Sequence, residues 1–75
     1  RVRRLFVLKA RPYCVACAAE GLPVTFAVEV DHIRPVAMGG TDEDANLQPL
    51  CAPHHRRKSA RDAAALRAYL KGATR

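Results

Sequence analysis

Two matched pairs of metal-ligand side chains, Cys14-Val15-Ala16-Cys17 and Cys51-Ala52-Pro53-His54, constrain this chain more than any other feature. Two ligands separated by two residues turn back onto one ion. Two such knuckles complete a tetrahedral site, for which thiolates and an imidazole favour Zn²⁺ over harder cations. The knuckles lie 33 residues apart, more than the usual finger separation, so a structural insert must sit between the halves. Such a staple answers a need. A chain of 75 residues buries too little apolar surface to be stable on its core alone. Zinc coordination contributes on the order of ten kcal/mol to folding. Four protein ligands leave no open position for substrate, so the expected role of this zinc is structural. The competing reading, one disulfide plus a free thiol, is weakened by the odd number of cysteines, three.

Nothing at the N-terminus resembles a signal sequence, and no apolar run approaches the roughly 18 residues needed to span a bilayer. A cytosolic protein without membrane contact is expected. The chain begins at Arg1 rather than Met, which points to a piece of a longer or processed protein. Its net charge of +6 is unevenly spread. Residues 1–12 carry +5, residues 54–75 carry +6, and the segment between carries −5. Basic ends around an acidic middle suit a polyanion gripped by the flanks and a divalent cation held in the centre. Solvated surface charge is the plainer alternative.

Residues 3–9 suit a helical turn or a brief strand ended by Pro12, and stay unassigned. Val24 to Val30 is rich in β-branched and aromatic residues and reads as a strand ending near Asp31, with Phe26, Val28 and Val30 on one face. Gly39-Gly40 and the polar residues after it mark a loop, and Leu47 to Leu50 a second short extended piece. A helix is expected over about residues 53–71, with Pro53 in its first turn and Ala63, Leu66 and Leu70 turned inward. The whole reads as one small α+β domain over residues 1–75.

With the zinc ligands assigned, Asp31, His32, Asn46 and His55 remain. Asp31 offers an anionic oxygen to a divalent cation, and His32 has a side chain that accepts a proton from water near neutral pH. Asn46, on composition alone, is an ordinary turn residue. His54 and His55 project about 100° apart at a helix start, so they can serve two different metals. The spacing favours His54 for zinc, and the swap, with His55 on zinc, stays open. Adjacent Asp31 and His32 would point to opposite faces of a regular strand. Both address one phosphate only if the strand ends or bulges there.

Cys14-x2-Cys17, Asp31-His32-Ile33-x-Pro35, Gly39-Gly40-Thr41, Asn46-Leu47-x-x-Leu50-Cys51 and His55-x-x-Lys58 together resemble the HNH endonuclease family, over residues 14–58. The resemblance implies a ββα-metal core, a short antiparallel hairpin plus a helix, stapled by the two-knuckle zinc. It further implies metal-dependent hydrolysis of DNA phosphodiester bonds, leaving 5′-phosphate and 3′-hydroxyl ends. His32 would be the general base, Asp31 and His55 the ligands of a catalytic Mg²⁺, Mn²⁺ or Ni²⁺, and Asn46 the motif asparagine. Many members carry Cys-x-x-Cys-His at the second knuckle; here His54 stands in place of the last thiolate.

Two other functions compete: a non-catalytic zinc-ribbon module that binds nucleic acid, and a zinc domain for protein interaction. Asp31-His32 speaks against the first, since a pure binding module has no need of a carboxylate beside a base; retained protein partners with no affinity for DNA at low salt would mark the second. The aromatics Phe6, Tyr13, Phe26 and Tyr69 form no obvious stacking platform, so double-stranded DNA held through its phosphates is favoured over single strands. Arg34, Arg56, Arg57, Lys58 and Arg61 are the candidates for that grip.

Overall fold

Pairing partners, rather than β-propensity, decide where the strands lie. The computed structural model describes residues 2–73. Arg1 and Arg75, two of the basic side chains counted at the ends, lie outside the described residues. β1 (Glu29–His32) and β2 (Leu47–Leu50) form a two-stranded antiparallel sheet, with Glu29 opposite Leu50, Val30 opposite Pro49, Asp31 opposite Gln48 and His32 opposite Leu47. β2 has the span expected of it. β1 starts later than expected, because β2 ends at Leu50, whose carbonyl accepts the Val28 amide at 2.9 Å, and the residues before Val28 turn instead to residues 12–14. In that stretch Phe26 alone makes an isolated bridge, to Tyr13, and Val24, Phe26 and Val28 stay exposed. β-Branched and aromatic residues fit a pleated surface but cannot supply a neighbour for it.

α3 (Ala52–Ala73) follows β2 directly, completing a β–β–α order. Pro53 sits in its first turn, where a missing N–H costs nothing. The expected inward stripe fails along its second half: Ala63 is exposed, Leu66 only half-buried and Leu70 53 % exposed. Length explains this. Four-residue strands reach about 13 Å, whereas a helix of 22 residues runs about 33 Å. The helix therefore outruns the sheet it packs on.

The unassigned N-terminal segment is a helix, α1 (Val2–Ala10), and it stops before Pro12 as the sequence requires. Among its described side chains Val7 is the buried one; Leu5 and Phe6 face outward. The helix docks largely through arginines. Arg4 Nη2 donates to the Val28 carbonyl at 2.6 Å and its Nε lies 3.4 Å from Glu29, while Arg11 Nη1 donates to the Leu47 carbonyl at 3.2 Å. Arg3 reaches the Asp42 carbonyl and the Asp44 carboxylate. Part of the basic N-terminal flank is thus spent on the chain's own acidic middle.

A short helix, α2 (Val15–Ala19), carries the first knuckle. The apolar core gathers around it: Cys14, Cys17, Leu50 and Cys51 are buried together, with Val15 and Ala16 packed against them. Apart from these, Val7, Leu47 and Pro49 are the buried apolar side chains among the described residues. No helix among the described residues is long and apolar enough to cross a membrane.

Candidate metal centre and active site

The N-terminus of α2 shapes the first knuckle. Cys14 caps it with an extended backbone, and its Sγ accepts the Cys17 amide at 3.4 Å, which folds both thiols to one side. The second knuckle forms where β2 ends and α3 begins, so Cys51 and His54 face back across one helical turn. The two halves meet. Cys17 Sγ lies 3.8 Å from Cys51 Sγ, and His54 Nδ1 lies 3.7, 3.5 and 3.1 Å from the sulfurs of Cys14, Cys17 and Cys51. A tetrahedral zinc with ordinary bond lengths asks for edges of about 3.8 Å between sulfurs and about 3.6 Å from sulfur to nitrogen. The donors fit Zn²⁺ in number, kind and spacing. All four residues are buried and the three cysteines are free, which removes the disulfide alternative. His54, not His55, lies with the thiols, the arrangement that the knuckle spacing favoured.

The thiols differ in acidity. Burial pushes the Cys14 thiol up, but hydrogen bonds from the amides and thiols of Cys51 and Cys17 outweigh it, lowering Cys14 from 9.0 to about 7. Thr25 lowers Cys17, yet burial and the neighbouring Cys14 and Cys51 leave it above its ordinary value. His54 is raised, first by Cys51 and then by Glu20. Zinc must therefore displace a proton from Cys17 at neutral pH, and in acid one from His54 too. Its apparent affinity is expected to fall at least ~tenfold per pH unit between about pH 8 and about pH 6, because each displaced proton contributes one such factor. Chelator competition at a series of pH values checks this; a flat profile contradicts it.

The second group of candidates lies around the end of β1. Strand alternation sends Asp31 and His32 to opposite faces. Asp31 turns toward α3: Oδ2 is 2.8 Å from Lys58 Nζ, and Oδ1 is 4.0 Å from His55 Nε2. His32 turns toward the loop, where Nε2 meets Asp42 Oδ1 at 2.8 Å. The ladder carries no bulge at these residues; the strand simply stops at His32.

Asn46 turns out to be the tie of this loop rather than a simple turn residue. Its side chain accepts from the Arg34 amide at 2.9 Å and donates to the carbonyls of Arg34 at 3.0 Å and Thr41 at 2.7 Å. The packing leaves no room at Gly40, where a Cβ would lie 1.8 Å from the Arg34 carbonyl oxygen. Gly39 supplies the left-handed turn before it, at φ +91°. Two glycines and one asparagine thus close residues 34–46 into a rigid loop against the end of β1.

The candidates for phosphate contact separate. Arg34, Arg56 and Arg61 are exposed. Arg57 is exposed as well but holds Glu20 at 2.7 Å. Lys58 takes a different place from the one expected: it is 7 % exposed, with its ammonium on Asp31, Asp62 and the His32 carbonyl. Burial alone would lower its pKa, but the two carboxylates outweigh burial and raise it, so it stays charged. Spacing gave no sign of Glu20, Asp42 or Asp62. Glu20 and Asp62 are isolated acids and Asp42 is one of a run with Glu43 and Asp44, and each gains its place only from the tertiary fold.

Asp31 and His55 together offer one carboxylate oxygen and one imidazole nitrogen, a mixed donor set that suits Mn²⁺, Ni²⁺ or Mg²⁺ and leaves the other positions for water and phosphate. Among the described residues, the larger group of potential ligands is the one at the knuckles. The HNH endonuclease family model matches residues 14–61, and no curated protein matches the chain significantly. Among solved structures, the HNH endonuclease of the deep-sea thermophilic bacteriophage GVE2, crystallised with manganese ion, is 42 % identical. The match covers 81 % of this chain and 68 % of that one, with a TM-score of 0.68. Motif order, the β–β–α arrangement around two knuckles and a match over well over half of its length agree: this chain belongs to the HNH endonuclease family.

Proposed function

We propose that the chain hydrolyses phosphodiester bonds of double-stranded DNA, with His32 as the general base and one divalent cation held by Asp31 and His55. The observation that carries this reading is that β1 stops at His32, so the His32 ring and the Asp31–His55 pair stand together at the open end of one strand. In-line displacement needs a base for the attacking water and a cation for the phosphate and leaving oxygen at one such place.

Asp42 occupies Nε2 of His32, so Nδ1 is the nitrogen left to take the proton from water. Asn46 fixes the loop that carries Asp42 and so holds the base in orientation. Lys58 engages Oδ2 of Asp31 and leaves Oδ1 toward His55 as the donor for a cation. When bound, the cation supplies charge neutralisation for the phosphate and the leaving 3′-oxygen. Arg34, Arg56 and Arg61 hold the DNA backbone through its phosphates, which gives grip with little sequence preference. The products are 5′-phosphate and 3′-hydroxyl ends.

Zinc-loaded protein incubated with supercoiled plasmid is expected to give nicked or linear DNA with Mn²⁺, Mg²⁺ or Ni²⁺, and none with excess EDTA. The manganese in the phage GVE2 enzyme makes Mn²⁺ the first ion to try. Salt-sensitive DNA binding without cleavage under any of these ions would instead mark a binding module.

A further inference from the structure

His54 replaces a thiolate by an imidazole, and an imidazole ligand has a second nitrogen to satisfy. Nδ1 faces the three sulfurs, so the neutral, zinc-binding form carries its proton on Nε2. That atom is buried. Glu20, at the C-terminal cap of α2, places Oε1 at 3.2 Å from it, close but short of a well-aligned hydrogen bond. Arg57, one helical turn along α3 from His54, holds the other oxygen of Glu20 at 2.7 Å.

We infer that Glu20 is a positioning residue of the zinc site, accepting the Nε2 proton of His54 and fixing the ring with Nδ1 toward the metal, while Arg57 holds Glu20 in place. A carboxylate on the far nitrogen of a metal-bound imidazole sets its tautomer and makes it a stronger donor. The residue therefore belongs with the histidine and has no purpose in a site of four thiolates. The inference rests on zinc binding at this cluster and is independent of DNA cleavage.

The test is a double-mutant cycle on zinc affinity, read by chelator competition with the full chain. Glu20→Ala is expected to weaken zinc binding about 10- to 100-fold. Glu20→Gln, which keeps an acceptor oxygen without the charge, should lose less, and Arg57→Gln less again. In a His54→Cys background, with no imidazole to orient, Glu20→Ala should change affinity by less than about threefold, so the coupling appears in the cycle. An equal loss from Glu20→Ala in both backgrounds would reduce Glu20 to general support of the fold and overturn the inference. So would unchanged affinity in the single variant. Failure of the wild-type chain to bind zinc would overturn the site itself and the inference with it.

Discussion

His32→Ala is expected to lower the rate of plasmid cleavage by about 10²- to 10⁴-fold, the usual contribution of a general base, without disturbing the fold. The separation of roles at this residue makes the second half of that statement firm. The backbone of His32 is structural: it closes β1 against Leu47, and its carbonyl accepts from Lys58 at 2.8 Å. Its ring is not, since it is half-exposed and touches Asp42 at the surface. Alanine keeps the first and removes the second. Zinc content, circular dichroism and melting temperature should match the wild type, and DNA binding should persist. Cleavage that survives the substitution would remove His32 from the chemistry. Asp31→Ala and His55→Ala should behave differently, by raising the concentration of divalent ion needed for activity. Asp31→Ala carries an added cost, because it leaves Lys58 buried with Asp62 as its one remaining carboxylate.

Stripping the structural metal is expected to unfold the chain outright. Among the described residues the buried apolar side chains outside the ligand set are few, namely Val7, Leu47, Pro49 and Leu50, and they lie with the cluster rather than forming a core of their own. Zinc binding is worth on the order of ten kcal/mol in sites of this kind, comparable to the whole stability of a small domain. A strong chelator should abolish the far-ultraviolet signal of α3 and the cooperative melt together, and stoichiometric zinc should restore both. Cys51→Ala should reproduce the loss without chelator. A cooperative melt that persists in metal-free protein would show that the core suffices and that zinc is an accessory.

The features readable in the sequence were those that local chemistry dictates. Two ligands two residues apart have one economical geometry, so the knuckles and the start of the helix beside Pro53 could be located in advance, as could the strand from Leu47 to Leu50. What escaped depended on a partner distant in the chain. Val24 to Val28 has strand composition, but the neighbour of residues 24–27 is the short segment 12–14 and not a strand. α1 buries little apolar surface and is held through Arg4 and Arg11 to carbonyls of Val28 and Leu47, partners far away in the chain. Leu70 sits at helical spacing from Leu66, yet nothing in a periodicity says how far the sheet beneath extends. At the site the same division holds: Asp31, His32 and His55 stood out as residue types, whereas Glu20, Asp42 and Asp62 stood out only as neighbours.

One peptide bond, between His54 and His55, joins the ring that faces the sulfurs to the ring that faces Asp31. Both rings lie on the first turn of a single helix, so neither can shift along the axis without carrying the other. A zinc ion held at the knuckles would then do more than keep the chain shut: it would act as a registration pin, fixing where the proposed metal ligand His55 stands relative to the sheet. Slack at the knuckles is delivered undiminished as misplacement at Asp31. A one-residue insertion before His55 would swing its ring, and Lys58 with it, through about 100° away from Asp31, while Cys14, Cys17, Cys51 and His54 stay in register with one another.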